Sequence, residues 1–214
     1  MAIIATFNGL NIIGLPCDLG AGVRAPSSIE WDPQEMVASG PPSLTGQVQT
    51  YDWMNSWWEA QVSFAPLDRL SFDYWTAFLA DCRGGSNAFM IGDPKAKVPK
   101  GAPSGAAAVA GAAQTGYILV TRGWTPSKYR LLLPGDLIQI GCRVYKLRDQ
   151  VNSDASGNAD LSIWPNLRDQ PADGTTIQCA NCKGLFRLKN ASGNKSSTNV
   201  GNYGLAGFAI REAF

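Results

Sequence analysis

One stretch of this sequence has the spacing of an amphipathic helix, and most of the remainder reads as strands. Residues 70–82 place Phe72, Trp75, Phe78, Leu79 and Cys82 on a single face, because apolar positions three and four apart fall together at 3.6 residues per turn. Ser71 is the candidate amino-terminal cap, and Gly84-Gly85 is the stop. A face this aromatic needs an apolar surface to cover it. The plainer expectation is a core helix lying on a sheet; a helix offered to a partner is the alternative.

The sheet material lies on both sides of that helix. Residues 2–7, 57–64, 88–91, 117–121, 137–140, 143–147, 160–163, 176–179, 184–188 and 205–212 alternate or run apolar between turn residues. Between 93 and 114 the composition shifts to alanine, glycine, proline and lysine, which cannot bury enough surface to fold alone and predicts a linker. The alanine run at 106–113 fits a short helix by propensity and an extended surface strand equally well. Beyond it, turn signals at 133–136, 152–158 and 170–174 separate strands at intervals of about ten residues, the rhythm of a small barrel or sandwich. Asp154 to Asn158 reads as a hairpin connection.

The expected fold is therefore mainly β. A β-sandwich domain with one packed α-helix takes 1–93, a linker 94–116, an inserted small β-barrel or sandwich 117–183, and closing strands of the first domain 184–214, with a polar loop over 190–202. Residues 16–46 are proline-rich and irregular. They read either as an arm that orders on a neighbour or as a surface loop packed by Trp31 and Val37.

The same residues narrow the function. Histidine is absent, which removes the usual general base at neutral pH, the commonest zinc ligand and every Ser-His or Cys-His pair. Asp68, Asp73, Asp81 and Asp93 cluster around the helix, and two carboxylates about 5–10 Å apart could cleave a glycosidic bond. Asp73, however, suits a helix's first turn and Asp93 a turn before proline. The expectation is no enzyme and no cofactor. Of five cysteines only Cys179 and Cys182 are closely spaced. No second pair completes a zinc set, and Lys183 alone is thin support for a redox thiolate, so a turn between strands is the plain reading. Eighteen basic residues against seventeen acidic ones give a net charge of +1, so nothing electrostatic favours nucleic acid or an anionic membrane. No run of about 18–20 apolar residues could span a bilayer. The first residues have neither the basic start nor the cleavage site of a signal peptide, so folding is expected in the cytoplasm of the producing cell. A protein partner is the remaining expectation.

Three blocks carry a resemblance. The first is Trp57 to Leu67, then Trp75 to Leu79, then Arg83 to Pro94; the second is Gln114 to Trp124. The third runs from Pro134 to Gly141 through Tyr145-Lys146 and Ile163 to Arg168 to Gly184–Leu188. The strand, helix, glycine turn, strand order of the first resembles the tube-forming domain of the distal tail proteins of long-tailed, siphovirus-type bacteriophages. The other two look like the appended β domain of phage minor tail proteins. The resemblance implies a structural virion protein, made in the host bacterial cytoplasm and located at the tail tip. It implies a ring, a homohexamer, that joins the tail tube protein to tail hub and tip proteins, with the tape measure protein a further candidate neighbour. A ring subunit needs an aromatic-rich interface. Tyr51, Trp53, Trp57, Trp58 and Tyr74 are the candidates, with core filling as their alternative. The rival function is a carbohydrate-binding tail-tip module in which an exposed Trp124 or Trp164 stacks on a sugar ring; core packing is the other reading of both.

Overall fold

The computed structural model describes residues 3–19, 22–42, 44–190, 196–199 and 202–214. Along the chain these form strands β1 (Ile3–Phe7), β2 (Leu10–Ile13), β3 (Ser28–Ser39) and β4 (Thr50–Ser63), the helix α1 (Arg69–Asp81), and strands β5 (Ala88–Ile91), β6 (Gly105–Val109) and β7 (Gly116–Trp124). There follow β8 (Leu137–Ile140), β9 (Arg143–Leu147), β10 (Ala159–Leu167), β11 (Ile177–Gln178), β12 (Gly184–Leu188), β13 (Ser196–Asn199), β14 (Asn202–Leu205) and β15 (Phe208–Glu212). The protein is mainly β with one α-helix among the described residues. It divides into two compact units: Met1–Asp32, Trp58–Ile91 and Lys183–Phe214 form the first, Pro33–Trp57 and Gly92–Cys182 the second.

A mixed seven-stranded sheet in the order β1-β2-β5-β12-β15-β4-β3 supports the first unit. Asn8 and Gly9, at φ 47° and 79°, make the tight turn between β1 and β2, a conformation that suits the right-handed twist of paired strands. β2 then pairs parallel with β5, and β12 and β15 add antiparallel pairs. Helix α1 covers this sheet with the face expected from its spacing. Phe72, Trp75, Phe78, Leu79 and Cys82 are all buried. Their rings continue into the strands, Trp75 to Phe78 at 5.4 Å and Phe78 to Phe89 of β5 at 5.1 Å between centroids. Truncating one such ring to alanine costs about 3–5 kcal/mol.

The helix begins differently from the expectation. Asp68, not Ser71, is the cap: its side chain accepts from the Ser71 backbone N–H at 3.4 Å and from the Ser71 hydroxyl at 2.6 Å. Ser71 sits inside the first turn and its Oγ also accepts from the Arg24 N–H. Gly85 ends the turn after α1 at φ 98°, and a Cβ there would lie 2.8 Å from the Leu188 carbonyl oxygen, so that approach needs glycine.

In the second unit the six strands run β11-β8-β9-β10-β7-β6. The circle is nearly closed, because Val109 at the end of β6 donates to the Thr175 carbonyl at 2.9 Å and accepts from Gly174 N–H at 3.0 Å, just before β11. Alternate residues of β10 point inward, and Leu119, Leu131, Leu132, Ile138, Leu161 and Ile163 fill the interior completely. Asp136 is buried under this barrel, accepting from the backbone N–H groups of Lys100, Gly101 and Leu133 at 2.7, 3.0 and 2.9 Å.

Several expectations are corrected here. Of the two readings of the alanine run, the strand holds over 106–109: β6, which lies within the expected linker, is one stave of the barrel, because the backbone of Val109 finds partners on β7 and before β11. The polar loop expected over 190–202 holds β13 and the first residue of β14, its antiparallel partner, with 191–195, 200 and 201 outside the described residues. The irregular segment at 16–46 holds the twelve-residue β3; Gly20, Ala21 and Ser43 within it, and Ala2 of the first expected strand, are outside the described residues.

Candidate functional site

Residues 33–57, the distal parts of β3 and β4 with their connection, are the part of the second unit that least resembles a core. Between Met36 and Met54 the sequence has one charged side chain, Asp52. Met36, Val37, Leu44, Val48, Tyr51, Trp53 and Met54 are nevertheless exposed. Residues 50–54 are exposed at every position, so neither face of this strand is covered, whereas a sheet strand ordinarily buries at least one. Tyr51 and Trp53 are 62% and 56% exposed and pack edge to face at 4.8 Å. Their alternate positions put them on one face. At Met54 the backbone turns left-handed, φ 51°, with its N–H bonded to Asp52 Oδ1 at 2.8 Å. Such a φ is uncommon outside glycine and asparagine and marks local strain.

The base of this arm is fixed by polar contacts to β10. Trp164 Nε1 donates to Glu35 Oε1 at 2.7 Å, and Arg168 Nη1 to Asn55 Oδ1 at 2.7 Å. Arg168 Nη2 also donates to the Ser56 carbonyl, and the Ser56 hydroxyl donates to Asn166 Oδ1 at 3.3 Å. Each such bond contributes on the order of 1 kcal/mol net. The arm is thus held at one end and bare beyond it.

The aromatic candidates separate accordingly. Tyr51 and Trp53 lie bare on the arm and Trp57 is half-buried at its end. Trp58 is buried in the first unit, with Trp31 edge-on at 5.5 Å, and is a core residue rather than a surface one. Tyr74 is half-buried on α1. Of the two candidate sugar platforms, Trp124 is buried and donates through Nε1 to Thr121 Oγ1 at 2.7 Å, so its face is not available for stacking. Trp164 is half-buried and tied to Glu35. Met36, Val37 and Leu44 fall in the 16–46 segment that the sequence offers as an arm, with Val37 exposed rather than packed, while sequence reasoning missed Val48 and Met54 although the nineteen-residue stretch carries a single charge.

The remaining candidates have structural employment. Burial pushes the thiol of Cys82 up to about 12, that of Cys179 to about 11 and that of Cys182 to about 12, the opposite direction from the lowered values of reactive thiols. No group of three or more potential metal ligands occurs among the described residues. Asp68 caps α1, and its bond from Ser71 holds its carboxyl below the usual range. Asp73 faces Arg69 at 3.8 Å, and Asp93 accepts from the Lys95 N–H at 2.8 Å. No helix among the described residues is long and apolar enough to cross a membrane.

The chain matches no protein-family model, and comparison with curated proteins finds no match.

Proposed function

We propose that this chain is a non-catalytic structural subunit that works by assembling with other chains, in the manner of a siphovirus distal tail protein. The bare arm carries the reading. A strand with Tyr51, Trp53 and Met54 all exposed and one charge in nineteen residues has the composition of an interface core, rich in aromatics and methionine and poor in charge. The first unit adds a second uncovered element: β1 is the last strand of its sheet, and Ile3 and Ile4 on it are 57% and 63% exposed with no charge or proline to blunt the edge. Two different unsatisfied surfaces on one chain favour head-to-tail contacts between copies, which close into a ring when the rotation allows. On this reading the partners are copies of the chain, tail tube protein and tail hub or tip proteins, and the location is the tail tip of a virion.

Light scattering and negative-stain imaging of the purified protein test it. Rings or higher oligomers that dissociate in a Tyr51→Ser, Trp53→Ser variant support the proposal. A monomer at high micromolar concentration, combined with absence of the chain from purified virions, overturns it.

A further inference from the structure

The turn after β11 carries the two closely spaced cysteines, and it lies against Leu137, the first residue of β8. Strand β11 is only two residues long, Ile177 and Gln178, paired with Ile140 and Gln139. Beyond it Asn181 turns the backbone left-handed at φ 50° and donates its N–H to the Lys97 carbonyl at 2.8 Å. Asparagine takes up this conformation more readily than most residues.

The turn brings the cysteines together. Cys182 is buried, and its Sγ lies 3.3 Å from the carbonyl oxygens of both Leu137 and Gln178. Gln178 directly precedes Cys179 through a trans peptide, in which the carbonyl oxygen stands about 2.8 Å from the next Cα. The Cys182 sulfur is therefore within about 6 Å of the Cys179 Cα. Bridged cysteines have Cα atoms about 4.4–6.8 Å apart, and rotation about χ1 moves the Cys179 sulfur among staggered positions. The two thiols differ in access. Cys179 is half-buried against the barrel interior, whereas Cys182 is only 3% exposed.

We propose that Cys179 and Cys182 form a disulfide when the folded chain meets a small organic disulfide, a modification site built into the turn after β11. The Cys179 thiolate attacks one sulfur of the reagent, forming a mixed disulfide and expelling one thiolate. The Cys182 thiolate then attacks the Cys179 sulfur, the protein bridge forms, and the second reagent thiolate leaves. The two protein protons end on the two reagent thiols; the cysteines lose two electrons and the reagent gains them. Burial pushes both thiols up, with the neighbouring Cys179 adding to the effect at Cys182, so thiolate is scarce at neutral pH and the exchange is slow there. The bridge fastens β11, whose own pairing with β8 spans two residues. It does not depend on the assembly proposed above.

The test exposes the full chain to hydroxyethyl disulfide at about pH 9, alkylates the remaining thiols and maps tryptic peptides by mass. Cleavage after Arg168 and Lys183 isolates residues 169–183, which hold these two cysteines and no other. This peptide is expected two hydrogens lighter and unalkylated, and the bridged protein should melt a few degrees above the reduced one. A Cys182→Ser variant should retain the mixed disulfide on Cys179 at least about tenfold more than the parent, because no second thiol displaces it. The proposal is overturned if both cysteines still alkylate, if either is joined to Cys17, Cys82, Cys142 or a second chain, if the bridged protein melts below the reduced form, or if the variant retains no more adduct than the parent. All but the last of these are read on the parent chain, whether or not the variant folds.

Discussion

The arm at 33–57 and the barrel at 92–182 belong to one compact unit, yet they are built on opposite rules. β10 alternates buried positions with more accessible ones along its whole length around a filled interior. Residues 50–54 of the arm bury neither face, and the side-chain contacts that tie the arm to β10 lie at its base, with Trp164, Asn166 and Arg168. The barrel spends its apolar residues on its own stability, and the arm keeps its apolar residues for contacts outside it. Substitutions should therefore separate the two by what they damage.

The largest effect is expected in the barrel interior. Leu161→Ala should cost about 2–5 kcal/mol and lower the melting temperature by calorimetry, since Leu161 is wholly buried. Next comes Asp136→Ala, which strands the N–H groups of Lys100, Gly101 and Leu133. With each orphaned buried donor costing about 1–3 kcal/mol, a loss of at least about 2 kcal/mol should appear in denaturant midpoints. A loss should also follow from alkali. Burial raises Cys179 and Cys182 from 9.0 to about 11 and about 12, so the folded state holds these protons more tightly than the unfolded one. Stability is then full below pH 9 and falls as pH rises through 9 to 12, and iodoacetamide labelling of both thiols should be slow until that window is entered. Arg168→Ala should cost about 1–2 kcal/mol globally but speed proteolytic cleavage within 36–54, because it frees the arm's base. Smallest for stability is Tyr51→Ser with Trp53→Ser, within about 0.5 kcal/mol. Equal destabilisation by the arm and barrel variants would erase the distinction drawn between them.

How much of this the sequence disclosed follows from what sequence patterns record. Periodicity recorded the helix face of Phe72, Trp75, Phe78 and Leu79 because local spacing alone decides it. It did not decide the cap, since Asp68 and Ser71 are both capping residue types and only the three-dimensional entry of the chain selects between them. Strand β2 was missed although Asn8-Gly9 announces a hairpin. β3 was hidden by Pro33, which a strand tolerates when, as here, it is the outermost of its sheet. β6 looked like linker because alanine and glycine have weak strand preference. Its state is imposed by partners on β7 and near Thr175, which lie some distance along the chain. Within the candidate site, Tyr51 and Trp53 were legible as aromatics, but exposure is a tertiary property, and it alone separates them from Trp58 and Trp124.

The pairing of β5 with β12, Phe89 opposite Phe186, has a consequence in time. During synthesis β5 leaves the ribosome about 90 residues before β12 exists, which at about 5–20 residues per second is a wait of roughly 5–20 s. Through that interval the aromatic face of α1 can rest only on an unfinished sheet, while the intervening barrel can finish first. Slow translation near β12 therefore lengthens the exposure of Phe78 and Phe89, and a pause there is expected to raise misfolding more than the same pause at β4.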